Sequence, residues 1–146
     1  MIERILVAAD DSPGGLAAVR AAVAIAASEG ARLLAVHVLV DGVLDRELSA
    51  LGRESDVSAR RGLGTTAVLA HVARLASRQG VTVETVSRSG EPAPCILAEA
   101  RSWRPDLIVV ARAARHTTGH PYVGSQTRHV LEFAEQPVLV VPQPRR

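Results

Sequence analysis

An α/β fold, with an open five-stranded parallel sheet and helices on both faces, is predicted by three features of this sequence. Short apolar runs alternate with segments whose apolar residues recur at helical spacing, from one end of the chain to the other. Apolar residues make up 47% of the chain but aromatics only 2%, so the core must be aliphatic, as in strands buried on both faces. No Pro/Gly-rich linker or internal repeat divides the 146 residues, and a single domain over 1–146 is expected.

The elements follow in order. Ile5-Leu-Val-Ala-Ala9 is a buried strand ended by Asp10-Asp11-Ser12-Pro13, in which Ser12 suits an N-cap and Pro13 the first helical position. Leu16, Val19, Val23 and Ala26 then share one helix face, with Gly30 as the stop. Arg32 to Val40 is the second strand, and its His37, enclosed by apolar neighbours, reads as a hydrogen-bonded strand histidine. Residues 41–60, with Gly42, Gly52 and several serines and charges, read as a surface connection holding at most a helical turn. A second helix is expected from about Arg60, weakened at its start by Gly62 and Gly64, and ending at Gly80. Val81 to Ser87 alternates like a strand with one wet face, which makes it an edge. Pro92 opens a third helix and Pro105 bars its continuation. Leu107 to Val110 is the fourth strand. A long polar connection, 111–123, precedes a fourth helix from Ser125, and Val138 to Val141 is the last strand.

Charge excludes several functions. All 17 basic residues are arginines, against 15 acids, so a phosphate loop of the Walker type, which needs its lysine, is ruled out. A net charge of +2 spread along the chain is no nucleic-acid footprint despite a pI near 9.4, and Trp103, Tyr122 and Phe133 are too few to stack bases. The lone Cys95 reads as a core filler. No apolar run approaches a membrane span and the N-terminus lacks a secretory pattern, so a cytoplasmic protein with no membrane partner is expected.

The connection 111–123 is longer than the usual strand-to-helix turn and ends where a helix start can hold an anion. Ligands of such sheets bind beyond the carboxyl ends of the strands, where the winding reverses. Asp10–Ser12 and the 111–125 segment compete for that place. His116 and His120 lie four apart with no nearby carboxylate or thiol, so no metal site is assigned there.

Over nearly its whole length the chain resembles the universal stress protein family. The pieces that carry the resemblance are Ile5-Leu-Val-Ala-Ala-Asp-Asp-Ser-Pro13, His37-Val38, Gly90-Glu-Pro-Ala93, Asp106-Leu-Ile-Val-Val110, Gly124-Ser125 and Gln136-Pro-Val-Leu-Val-Val141. The resemblance implies a Rossmann-like sheet of the adenine nucleotide alpha hydrolase type, in strand order 3-2-1-4-5. It also implies a homodimer paired through the last strands, Val138, Leu139, Val140 and Val141. Members that bind ATP resemble Gly-x2-Gly-x9-Gly-[Ser/Thr] at the long loop. Here Ala111 and Ala114 stand where the first two glycines would, and Gly124 and Ser125 complete the end. A residue forced to positive φ there, or a methyl aimed at a phosphate, would weaken binding.

The resemblance also assigns Asp10 to the adenosine moiety and the backbone of Val38 to the adenine ring. Ser125 and Gln126 remain at the anion end, and Arg112 and Arg115 are candidates for phosphate contacts. No catalytic residue is assigned, since neither clustered carboxylates nor a nucleophile–base pair is present. The expected function is therefore a non-catalytic stress-response regulator with an adenine-nucleotide cleft in which ATP binding is weakened or lost, and with an unidentified protein partner. The alternative is a member that binds ATP with Mg²⁺ and hydrolyses it slowly at most.

Overall fold

The computed structural model describes residues 1–40, 54–113 and 123–144. In chain order these form β1 (Arg4–Ala8), α1 (Pro13–Glu29), β2 (Arg32–Leu39), α2 (Glu54–Arg78), β3 (Val83–Ser89), α3 (Pro92–Trp103), β4 (Leu107–Ala111), α4 (Ser125–Phe133) and β5 (Val138–Val141). All strands are parallel, in the order β3-β2-β1-β4-β5. The expected order and the expected edge position of β3 are both met, although β3 starts two residues later than its alternation suggested.

Register explains the two-layer core. Leu6 lies beside Leu34 on one side and Ile108 on the other, and Val7 beside Ala35 and Val109. Successive side chains of a strand point to opposite faces, so each row feeds a different layer. Ile5, Val7, Leu33, Ala35 and Val109 meet Val19, Val23 and Ala26 of α1 and Val72 and Ala76 of α2. Leu6, Leu34, Val36, Ile108 and Val110 meet Ala93, Ile96 and Ala100 of α3 and Val130 of α4. The core is aliphatic throughout, as composition required.

The local signals at α1 hold. Ser12 is its N-cap, its Oγ accepting from Gly15 N at 3.0 Å, and Gly30 closes it at φ 68. Helix α2 departs from expectation by beginning at Glu54 rather than near Arg60. Gly62 and Gly64 lie inside it, each costing about 1 kcal/mol relative to alanine. Packing of its later turns through Val68, Leu69, Val72 and Ala76 against the first layer offsets that cost. Cys95 is half-buried rather than a core residue. Among the described residues no helix is long and apolar enough to cross a membrane.

Opposite the carboxyl ends, Asp106 ties the two central strands together. Its Oδ2 accepts from Glu3 N at 2.9 Å and Arg4 N at 3.0 Å, while Asp106 N donates to Arg4 O. Those two backbone donors hold the Asp106 carboxyl below its ordinary value. A depressed folded-state value means that this contribution is fully present above the unfolded value and is lost as pH falls through the folded one. Asp106→Ala should therefore destabilise the protein most above about pH 5 and progressively less below about pH 4. Urea midpoints of both proteins measured across that range check it.

Candidate functional site

The winding of the chain reverses between β1 and β4, and the carboxyl ends of these neighbours open onto a cavity of about 580 Å³. Ala8 and Val110 form its floor, Pro92 and Ile96 of α3 and Val130 of α4 its apolar side, and Asp10, Gly15 and the segment 123–128 its polar rim.

Asp10 reaches the rim through a turn built on itself. Its Oδ1 accepts from Ser12 N at 2.8 Å and from the Ser12 hydroxyl, an arrangement that links the end of β1 to the cap of α1. No donor to Oδ2 is present among the described residues. The carboxylate lies so close over the helix that a Cβ at residue 15 would stand 2.0 Å from Oδ1 and would push the Asp10 side chain out of this turn. At Gly14 a Cβ would stand 2.5 Å from Ala113 O, so the backbone just beyond β4 packs directly on α1. Both glycines were missed in the sequence, where paired glycines in the first turn of a helix, a place that favours other residues, were the available signal.

The facing wall begins where the polar connection returns. Arg112 N donates to Val141 O and Gly124 N to Arg112 O, each at 2.8 Å, so the ends of that connection are pinned to one another and to β5. Residues 114–122 lie outside the described residues, and with them Ala114, Arg115, His116 and His120. Helix α4 then starts at Ser125. Its N-cap is Gly124, at φ −63 and ψ 156. Because the cap carries no side chain, the backbone N–H groups of Ser125, Gln126 and Thr127 have no acceptor among the described residues.

Two side chains fix this helix start. Thr127, buried and unremarked in the sequence, donates from Oγ1 to Ala111 O at 2.7 Å. Gln126 accepts at Oε1 from Ala93 N at 2.9 Å and so caps α3 from outside, which turns its amide nitrogen away from α3. Gln126 was expected only as an anion contact.

Ala111 behaves differently from expectation. It ends β4, and the only non-glycine positive φ among the described residues is at Arg104, so the backbone at 111 carries no left-handed strain. Its methyl packs toward α1, where a Cβ at Gly14 would lie 3.3 Å away. Val38 does not line the cavity. It packs, half-buried, with the α3 and α4 layer near the end of β2. His37 is buried, and its Nδ1 donates to Ala9 O at 2.8 Å, the strand role read from its neighbours. Among the described residues no three His, Cys, Asp or Glu side chains gather as a metal-ligand set.

Comparison with known proteins places this architecture. The model of the "Universal stress protein family" matches residues 1–142. The universal stress protein MJ0531 of Methanocaldococcus jannaschii is 29% identical over 146 residues, covering 100% of this chain and 85% of that protein. A universal stress protein solved in complex with cAMP superposes with a TM-score of 0.71 at 22% identity, over 98% of both chains. One from Archaeoglobus fulgidus in complex with dAMP does so with a TM-score of 0.67 at 23% identity, over 97% of this chain and 99% of that one.

The close approach at α1 yields a test free of any ligand. Alanine is about 1 kcal/mol better than glycine in a helix, so an unconstrained Gly14→Ala would raise stability. The Ala113 carbonyl instead makes it lower stability by about 1–3 kcal/mol. Denaturant titration reads the sign directly.

Proposed function

The chain belongs to the universal stress protein family, and on that premise we propose that it is an adenine-nucleotide-binding regulator that acts by binding rather than by catalysis. The observation that carries this reading is the uncapped start of α4, whose free N–H groups open onto the cavity at the β1/β4 reversal. Backbone donors and the positive helix end together form an anion site that needs no lysine.

The rest of the cavity supports a nucleoside on that anion. Asp10 offers an unengaged carboxylate oxygen to a ribose hydroxyl, and the aliphatic wall of Ile96, Val110 and Val130 excludes water from a base or sugar face. Gly124 has no internal reason to be glycine, since a Cβ there would make only ordinary contacts of 3.6 Å or more. Close approach of a phosphate to that backbone supplies a reason. That relatives of the same fold bind cAMP and dAMP agrees with this ligand class. Catalysis is not favoured, because the Thr127 hydroxyl and the Gln126 carbonyl oxygen are already engaged. A magnesium ion would arrive with the phosphates at α4 rather than on a set of protein ligands.

The reading includes a homodimer through β5. This strand is a sheet edge, paired only with β4, and its Leu139 is exposed. An uncharged β-branched edge is a template for another strand, and a second β5 satisfies it. A stress-response output through a protein partner is proposed with it.

Two expectations follow. Saturating AMP or ATP should raise the melting temperature by several degrees, since ligand at a hundred times Kd adds about 2.7 kcal/mol. Asp10→Ala should weaken binding roughly tenfold, a loss of about 1.4 kcal/mol, whereas Ala111→Gly should leave it within about twofold because no strain is relieved. Melting curves unmoved by millimolar adenine nucleotides would sink the reading. Separately, Val140→Lys should convert a dimer into a monomer in sedimentation velocity, and an unchanged mass would remove β5 as the interface.

A further inference from the structure

Arg128 is the one basic side chain among the residues that line the cavity, and it stands in an electrostatically poor place for a cation. It lies one turn into α4, its N–H bonded to Gly124 O, beside the positive end of the helix dipole. The first turn of α4 holds no acidic residue to offset it. Arg128 is exposed and makes no ion pair among the described residues. Glu132, four residues on, is in the weaker of the two orders for a helical pair. In the free protein this charge is thus opposed by its own helix, and an anion at the helix start removes the conflict.

We propose that Arg128 sets the charge class of the ligand, so that the cavity takes a terminal phosphate dianion, as in a nucleoside 5′-phosphate, in preference to a cyclic phosphodiester. The proposal rests on the nucleotide reading above. A guanidinium fork matches two oxygens of a terminal phosphate, and the N–H groups of Ser125 and Gln126, which line the same cavity without an acceptor among the described residues, would take the third. A cyclic diester has only two unesterified oxygens and one charge, so it cannot satisfy both sets of donors. Asp10, the acidic group on the rim, comes from the end of β1 rather than from α4. It repels phosphate and accepts from a hydroxyl, so the two charges orient the ligand with its phosphate at α4.

Calorimetric titration with AMP and with cAMP at about pH 8, where the monoester is a dianion, tests this on the wild type, Arg128→Gln and Arg128→Lys. The wild type should favour AMP by about tenfold. Arg128→Gln should erase that preference, chiefly by weakening AMP, while Arg128→Lys keeps part of it. Without ligand, the unfolding midpoint of Arg128→Gln should be unchanged or a few degrees higher, because a charge opposed to the dipole is gone. Raising the salt should narrow the wild-type preference. If both nucleotides bind and their ratio is the same in wild type and Arg128→Gln, Arg128 does not select the ligand, though the nucleotide reading survives. Equal losses on both ligands with a lowered midpoint would mark Arg128 as merely structural, with the same consequence. Binding of neither nucleotide to the wild type would overturn both.

Discussion

Pairing of β1 with β4, with Leu6 against Ile108 and Val7 against Val109, is the constraint on which the functional end of the molecule depends. Chain segments that leave these neighbours diverge to opposite faces of the sheet, α1 to one layer and α4 to the other. The gap left between them at the carboxyl ends is the cavity. Asp106, at the far end of the same two strands, holds their starts together through two backbone N–H groups.

Given that gap, the rest of the site is a matter of close approach and unsatisfied donors. Gly14 and Gly15 let α1 come within contact of Ala113 O and the Asp10 carboxylate, positions that any side chain would occupy. On the other wall, Thr127 and Gln126 spend their polar atoms on Ala111 O and Ala93 N. This fixes the start of α4 against β4 and α3, and leaves its first backbone N–H groups as donors aimed outward. A wall so bolted is preorganised, and a ligand meeting it loses little to ordering. The price of that arrangement is a helix end without a side-chain cap.

The family relationship covers residues 1–142, which include every residue on the rim of the cavity. Ala111 stands where the resemblance led one to expect a glycine, and Gly14 opposite it leaves room for the methyl. With lysine absent from the whole chain, the proposed phosphate recognition would fall to backbone N–H groups and arginine.

The sequence by itself determined the element order, the aliphatic two-layer core, the Ser12 cap, the edge position of β3 and the strand role of His37. Each of these follows from local periodicity or from the chemistry of one residue and its chain neighbours. The start of α2 at Glu54 was illegible because glycines argued against a helix that tertiary packing stabilises. The roles of Gly14, Gly15, Gln126, Thr127 and Arg128, and the direction of the Ala111 methyl, were decided only when α1, α3 and α4 converged on β1 and β4. Each depends on atoms distant in sequence, Gln126 to Ala93 or Gly14 to Ala113, and a distance between such atoms has no local signature in the order of residues.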